Sequence, residues 1–164
     1  MAEEFKIAFS LNDEEKYEAL VPQIKILLSK DDLLLSNLSN FTAAINQTFE
    51  KVSWVGFYLF DGEKLNLGPF QGKVACTKIE LGNGVCGTSA LNKETIIVQN
   101  VNDFPGHIAC DSGSNSEIVL PIVKGNELIG VLDLDSYQFN AFDETDKKYL
   151  EELTKFLAEE IFVN

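Results

Sequence analysis

VSWVGFYLFDGEKLNLGPFQ, residues 52–71, decides the fold class. Its first nine residues are aromatic and β-branched, a composition that suits a buried strand. Asp61-Gly62 is a hairpin signal, because glycine supplies the positive φ that a tight turn between twisted strands requires. Residues 64–71 then read as the returning strand. Upstream the period is helical. Leu34, Leu38, Phe41, Ile45 and Phe49 recur at spacings of three and four and predict a helix over about 32–50. An earlier helix is expected over 13–29, opened by Asn12 and Glu15 as a variant of the capping box.

Downstream, residues 74–80 read as a short strand carrying Cys76. LGNGVCG (81–87) is a glycine-punctuated turn into a short helix near 85–92, and 95–99 is a further strand. Residues 100–115 are rich in Asn, Asp, Pro, Gly and Ser, and a loop of that length inside a compact domain is often functional. Two apolar strands, 117–124 and 127–136, flank Gly125-Asn126 as a second hairpin. A helix over 143–162 closes the chain, capped by Asp143, with Tyr149, Leu150, Leu153, Phe156, Leu157 and Ile161 on its inner face. Five or six mostly antiparallel strands between helices at both chain ends make an α+β domain. A chain of 164 residues suffices for one such domain, 1–164, with a sizeable core.

Composition removes whole classes of function. A 45% hydrophobic fraction with twelve phenylalanines argues for a packed interior and against disorder. A net charge of −13 and a pI near 4.4 repel phosphate backbones and anionic lipid surfaces, and no Lys/Arg cluster offsets them. Neither nucleic acid nor membrane is expected as a partner. The start, MAEEFKIAF, has the character of no secretory signal, and no apolar window of about 18 residues occurs. The expected compartment is therefore the cytoplasm, where structural disulfides are rare. Cysteine chemistry there is catalytic, redox-sensing or metal-binding.

Three cysteines, Cys76, Cys86 and Cys110, carry that question. A free cysteine is often only a small buried hydrophobe. Cys86 sits at an expected helix start, where free N–H groups favour a thiolate. Cys110 lies in the polar loop with His107 and Asp111, which argues against a core position. Cys76, in its expected strand, reads as the most structural of the three. Cys76, Cys86, His107 and Cys110 form a conceivable zinc set, yet Cys76 and Cys86 stand ten apart where zinc ligands usually pair at two to four, so no metal is expected. His107, the single histidine, either orients Cys110 or fixes the loop.

Asp133 and Asp135 interrupt an apolar strand in VLDLDS and share one face by their spacing of two. Two carboxylates on a half-buried face cost stability unless solvated or paired. They form either a wet face or a polar pocket floor able to bind an ammonium group or donate a proton. Trp54 and Tyr58 share a face of the first strand and read either as core or as an aromatic wall. Glu117 begins the neighbouring strand. A two-residue loop at Gly125-Asn126 sets Glu117 opposite Leu134, on the wrong face. A three-residue loop or one bulge shifts the register by one and unites the three carboxylates.

WVGFYLF (54–60), LGPFQGKVACTKIELGNGVCG (67–87), FPGHIACDSGSNSEIVLPI (104–122) and IGVLDLDS (129–136) together resemble the free methionine-(R)-sulfoxide reductases, which are single GAF domains. The likeness runs from about residue 20 onward, with all three cysteines in register. It implies a GAF-like α+β fold and reduction of the free amino acid rather than a protein-bound residue. Cys110 matches the nucleophile, Cys76 the resolving cysteine, and Cys86 an alternative or auxiliary partner. Glu117, Asp133 and Asp135 match the acids that hold the substrate and assist at the sulfoxide oxygen; Trp54 matches a tryptophan packed on the S-methyl group. Thioredoxin as reductant and a homodimer are implied, with no cofactor. The chemistry agrees, since a thiolate must attack sulfur while an acid protonates oxygen. The resulting sulfenic acid condenses with a second thiol, and an external dithiol resets the disulfide. A non-enzymatic GAF sensor for a small ligand, or a redox switch, is the competing reading, because most GAF domains are binding modules.

Overall fold

A computed structural model describes residues 5–108 and 110–163. Four helices and six strands follow in the order α1 (Asp13–Leu27), α2 (Leu34–Thr48), β1 (Trp54–Phe60), β2 (Lys64–Gln71), β3 (Lys78–Glu80), α3 (Gly84–Asn92), β4 (Ile96–Val98), β5 (Ser116–Lys124), β6 (Glu127–Ser136) and α4 (Glu144–Phe156). A 3₁₀ turn, Val101–Asp103, interrupts the long loop, and a π-helical turn, Leu157–Ile161, extends α4. The strands form one sheet in the order β3-β2-β1-β6-β5-β4, antiparallel at every junction. The expected α+β architecture is present. The reading of MAEEFKIAF as no secretory signal falls partly on residues 1–4, outside the described residues. Among those described, no helix is long and apolar enough to cross a membrane.

Local chemistry explains the ends of the helices. Asn12 and Glu15 make the reciprocal capping box, each side chain accepting from the other's backbone N–H at 2.9 Å. Asp143 accepts from Thr145 N at 2.8 Å at the start of α4. The first hairpin turns one residue later than expected. Asp61 N donates to Lys64 O, so Gly62 (φ +101°) and Glu63 occupy the turn, while the Asp61 carboxylate accepts from the N–H groups of Glu63 and Lys64.

Side-chain alternation gives the sheet two unlike faces. On one, Val55 and Phe57 of β1, Leu132 and Leu134 of β6, and Ile118, Leu120 and Ile122 of β5 pack under α1, α2 and α4. On the other, Trp54, Tyr58, Val119 and Val131 lie beneath α3 and the flanking loops. Two expectations need correction. Cys76 is not in a strand; β3 begins at Lys78, and residues 74–76 form no sheet bonds. The segment is held off the sheet by side chains instead: Trp54 Nε1 donates to Lys73 O and Tyr58 Oη donates to Cys76 O, both at 3.0 Å. Second, the register of β5 on β6 changes within the hairpin. Lys124 faces Glu127 across a two-residue loop and Val123 faces Leu128, but Ile122 faces Gly130. Ile129 is the extra residue of a β-bulge, and the bulge sets Glu117 opposite Asp135.

Candidate active site

The bulge decides what the second face can do. With Glu117 opposite Asp135 and Val119 opposite Asp133, all three carboxyls project to the same side. On the other flank of β6, Trp54 faces Asp135 and Gly56 faces Asp133. A side chain at position 56 would collide with the Trp54 ring and Phe70 Cβ, so glycine is what lets the indole lie flat beside Asp133. Gly72 (φ +132°) is constrained in the same way from above, where a Cβ would strike the indole. Trp54 stacks on Phe70 with ring centroids 5.4 Å apart and on Tyr58 at 6.1 Å, which completes the expected aromatic wall. The Tyr58 hydroxyl is engaged by the Cys76 carbonyl, so its contribution to the wall is its ring.

Cys76 and Cys110 are joined by a disulfide with Cα atoms 5.8 Å apart. Cys110 is exposed, and Cys76 is partly so. The loop reaches this position through Asp111. Its carboxylate accepts from Tyr137 Oη at 2.8 Å and from Gly113 N at 2.9 Å, and it lies 3.5 Å from Lys73 Nζ. Asp111 therefore ties the Cys110 loop both to the end of β6 and to the segment bearing Cys76. A cavity beside the loop is lined by Trp54, Tyr58, Cys86, Cys110 and the three carboxyls among others.

The carboxyls are unusual acids. Glu117 and Asp133 are 5% and 6% exposed. Burial and a neighbouring acid, Asp135 for Glu117 and Glu117 for Asp133, push both well above the usual carboxylate range. Asp135, less covered, is raised by burial and by Asp133, and Ser114 beside it works in the opposite direction. Oδ1 of Asp133 is buried without a hydrogen-bond partner, an arrangement that costs free energy and points to a ligand.

Cys86 corrects a sequence expectation. It does sit in the first turn of α3, but it is fully enclosed, and burial together with Asp133 and Glu117 pushes its thiol pKa well up. Desolvation and like charge outweigh the helix N-terminus, so Cys86 is a thiol and not a primed thiolate. In this form it is the free cysteine, outside the disulfide. The zinc set of Cys76, Cys86, His107 and Cys110 cannot assemble here, since two members are bonded to each other.

Sequence reading did not place two residues that line the pocket. His107 Nε2 stands 3.4 Å from Glu117 Oε2, and burial lowers the imidazole's pKa. Ser114 is buried beside Asp135. The weight of small polar residues in 100–115 was the available signal for both.

A GAF-domain family model matches residues 35–161. The chain is 52% identical to GAF domain-containing protein A of Dictyostelium discoideum, over 96% of this chain and 99% of that protein. It is 43% identical to the free methionine-R-sulfoxide reductase of Escherichia coli over 87% of each. The X-ray structure of free methionine-R-sulfoxide reductase from Neisseria meningitidis in complex with its substrate superposes with a TM-score of 0.89 at 42% identity, covering 95% of both chains. With a disulfide-forming cysteine and three carboxyls lining one cavity on that same scaffold, the chain belongs to the GAF-fold family of free methionine-(R)-sulfoxide reductases.

Proposed function

We propose that the protein reduces free L-methionine (R)-sulfoxide to methionine, with thioredoxin as electron donor. The observation that carries this reading is one cavity wall on which Cys110, bonded to Cys76, meets Glu117, Asp133 and Asp135. Cys110 is the nucleophile: exposed, on the loop, and in the cavity wall. Its thiolate attacks the sulfoxide sulfur as a protonated carboxyl donates to the oxygen. Glu117 suits the donor role, since its folded-state pKa is raised and His107 stands beside it. The oxygen passes to Cys110 as a sulfenic acid and methionine leaves. Cys76 thiol condenses with the sulfenic acid, forming the disulfide and releasing water. An external dithiol then reduces the disulfide to two thiols and is itself oxidised.

Asp133 and Asp135 hold the substrate ammonium, which a peptide-bound methionine lacks, and the Trp54 indole packs on the methyl end. Buried Cys86 is outside this cycle. The chain acts as a single GAF domain, 1–164, in the cytoplasm and as a homodimer. The test is an NADPH-coupled thioredoxin assay with the two S-epimers of free methionine sulfoxide supplied separately. The (R)-epimer should turn over and the (S)-epimer and peptide-bound sulfoxides should not. Equal rates with both epimers, or none with either, would refute the assignment.

A further inference from the structure

Cys86, Glu117 and Asp133 come from three elements, α3, β5 and β6, and meet on one wall of the cavity. One ligand atom from each, the Cys86 Sγ and a carboxyl oxygen of each acid, lies within 4.8 Å of the other two. All three residues are buried, and Oδ1 of Asp133, nine-tenths covered, has no hydrogen-bond partner. The catalytic cycle proposed above has no use for the Cys86 sulfur.

We propose that this trio is a binding site for a borderline-soft divalent cation of the zinc class. Cys86 Sγ, Glu117 and Asp133 are the ligands, and a fourth position is open to water or to His107 Nε2, which stands 3.4 Å from Glu117 Oε2. The donor set selects the metal. Magnesium and calcium ask for six or more oxygens, whereas one thiolate with two carboxylates and a vacant vertex is a zinc arrangement, formed as the cation displaces to solvent the protons that these buried groups hold. Zinc bonds of about 2.0–2.3 Å require the three atoms to close in slightly, within the reach of side-chain adjustment on a fixed backbone. Two ligands stand on adjacent strands and the third on the first turn of a helix packed over them, so the backbone is already in place. The sequence pointed to no metal, because the cysteine spacing does not fit a zinc set; here two ligands are carboxyls that only the fold brings to Cys86. Resting on the proposed function, a bound cation takes Glu117 and Asp133 from the substrate and acts as a competitive inhibitor of the reductase.

The disulfide-bonded protein gives a clean test, because Cys86 is then its one thiol. Co²⁺ is titrated into oxidised protein in chelator-free buffer, and its spectrum is recorded. The expected result is a near-ultraviolet sulfur-to-cobalt charge-transfer band with the intense visible bands of a four-coordinate ion, both removed by Zn²⁺. Cys86→Ser should abolish the charge-transfer band. Glu117→Gln should retain the band while weakening affinity by about 10–100-fold or more, and it keeps the test valid if Cys86→Ser fails to fold. A weak, oxygen-only octahedral spectrum, a band that survives in Cys86→Ser, or a Co²⁺ affinity unchanged by Glu117→Gln would overturn the site. In reduced protein, Zn²⁺ should raise the apparent KM for the sulfoxide without altering kcat. Metal binding to oxidised protein without that competition would uphold the site and refute the shared substrate pocket.

Discussion

Two buried aspartates, one on each side of the molecule, show what a carboxylate does when it is structural and when it is not. Asp146 is 1% exposed, on the helical side. It accepts from Tyr17 Oη at 2.8 Å and Asp143 N at 3.0 Å, and Lys51 Nζ lies 2.9 Å from both of its oxygens. Every lone pair has a donor. Asp133 is buried to a similar degree on the pocket side, yet its Oδ1 has no partner and its neighbours are a second acid and a thiol. The first arrangement closes a helix cap and a core. The second is left unfinished by the protein, and what completes it must come from outside. The same strands serve both sides: Leu132 and Leu134 pack against helices while Asp133 and Asp135 face the cavity.

The contrast can be broken or sharpened by mutation. On the pocket side, loss of activity should come without loss of fold. Cys110→Ser should abolish turnover and sulfenate formation, with thermal stability of the reduced protein unchanged within error. Substantial single-turnover methionine release by that variant would remove Cys110 from its role. Glu117→Gln should slow the chemical step by about 10²–10⁴-fold, the usual contribution of a general acid, while Cys110 still reacts with an alkylating probe. A rate within threefold of wild type in rapid-quench measurement would shift the proton donor to another acid.

On the helical side the order reverses. Asp146→Asn should cost about 3 kcal/mol in urea unfolding, because Lys51 loses its buried carboxylate and keeps the half-exposed Asp13 at 2.6 Å and the Ala141 carbonyl at 2.8 Å. Activity per folded molecule should be unaffected. The smallest effect is the most telling. Asp133→Asn should leave stability equal or higher at pH 8. In the unfolded chain this carboxyl ionises near pH 4, but the folded protein retains its proton to higher pH. The folded state therefore binds more protons, and the stability linked to them is complete below about pH 4 and falls as pH rises through the folded-state pKa. The amide removes that loss, so the fall in Tm between pH 5 and pH 8 should be shallower than in wild type. A steeper fall would mean that Asp133 is ionised and satisfied, as Asp146 is.

How far the sequence carried this picture follows the same division. Helix stripes, capping boxes and hairpins depend on near neighbours, and β2 appeared at residues 64–71 as expected. The carboxyl trio depended on one extra residue, and nothing in ELIGVLDLDS marks Ile129 as the bulge. Both registers satisfy the apolar pattern near the turn; only packing against β1 selects between them. Cys76 left its expected strand for a similar reason, since the hydrogen bonds that hold its segment, Trp54 to Lys73 and Tyr58 to Cys76, span 19 and 18 residues. The state of Cys86 was hidden because the acids that set it, 31 and 47 residues away in the chain, arrive only with the fold. The resemblance to a family supplied the pairing of Cys110 with Cys76 that local reasoning did not.

The account turns on which sulfurs the sulfoxide joins. Fully reduced protein is mixed with one equivalent of free methionine (R)-sulfoxide, quenched in an alkylating agent, and digested for peptide mass mapping. One methionine per chain should be released, with Cys76 and Cys110 recovered as a single disulfide-linked pair and Cys86 alkylated after unfolding. Methionine release with Cys86 in the new disulfide, or with all three cysteines still alkylatable, would contradict it.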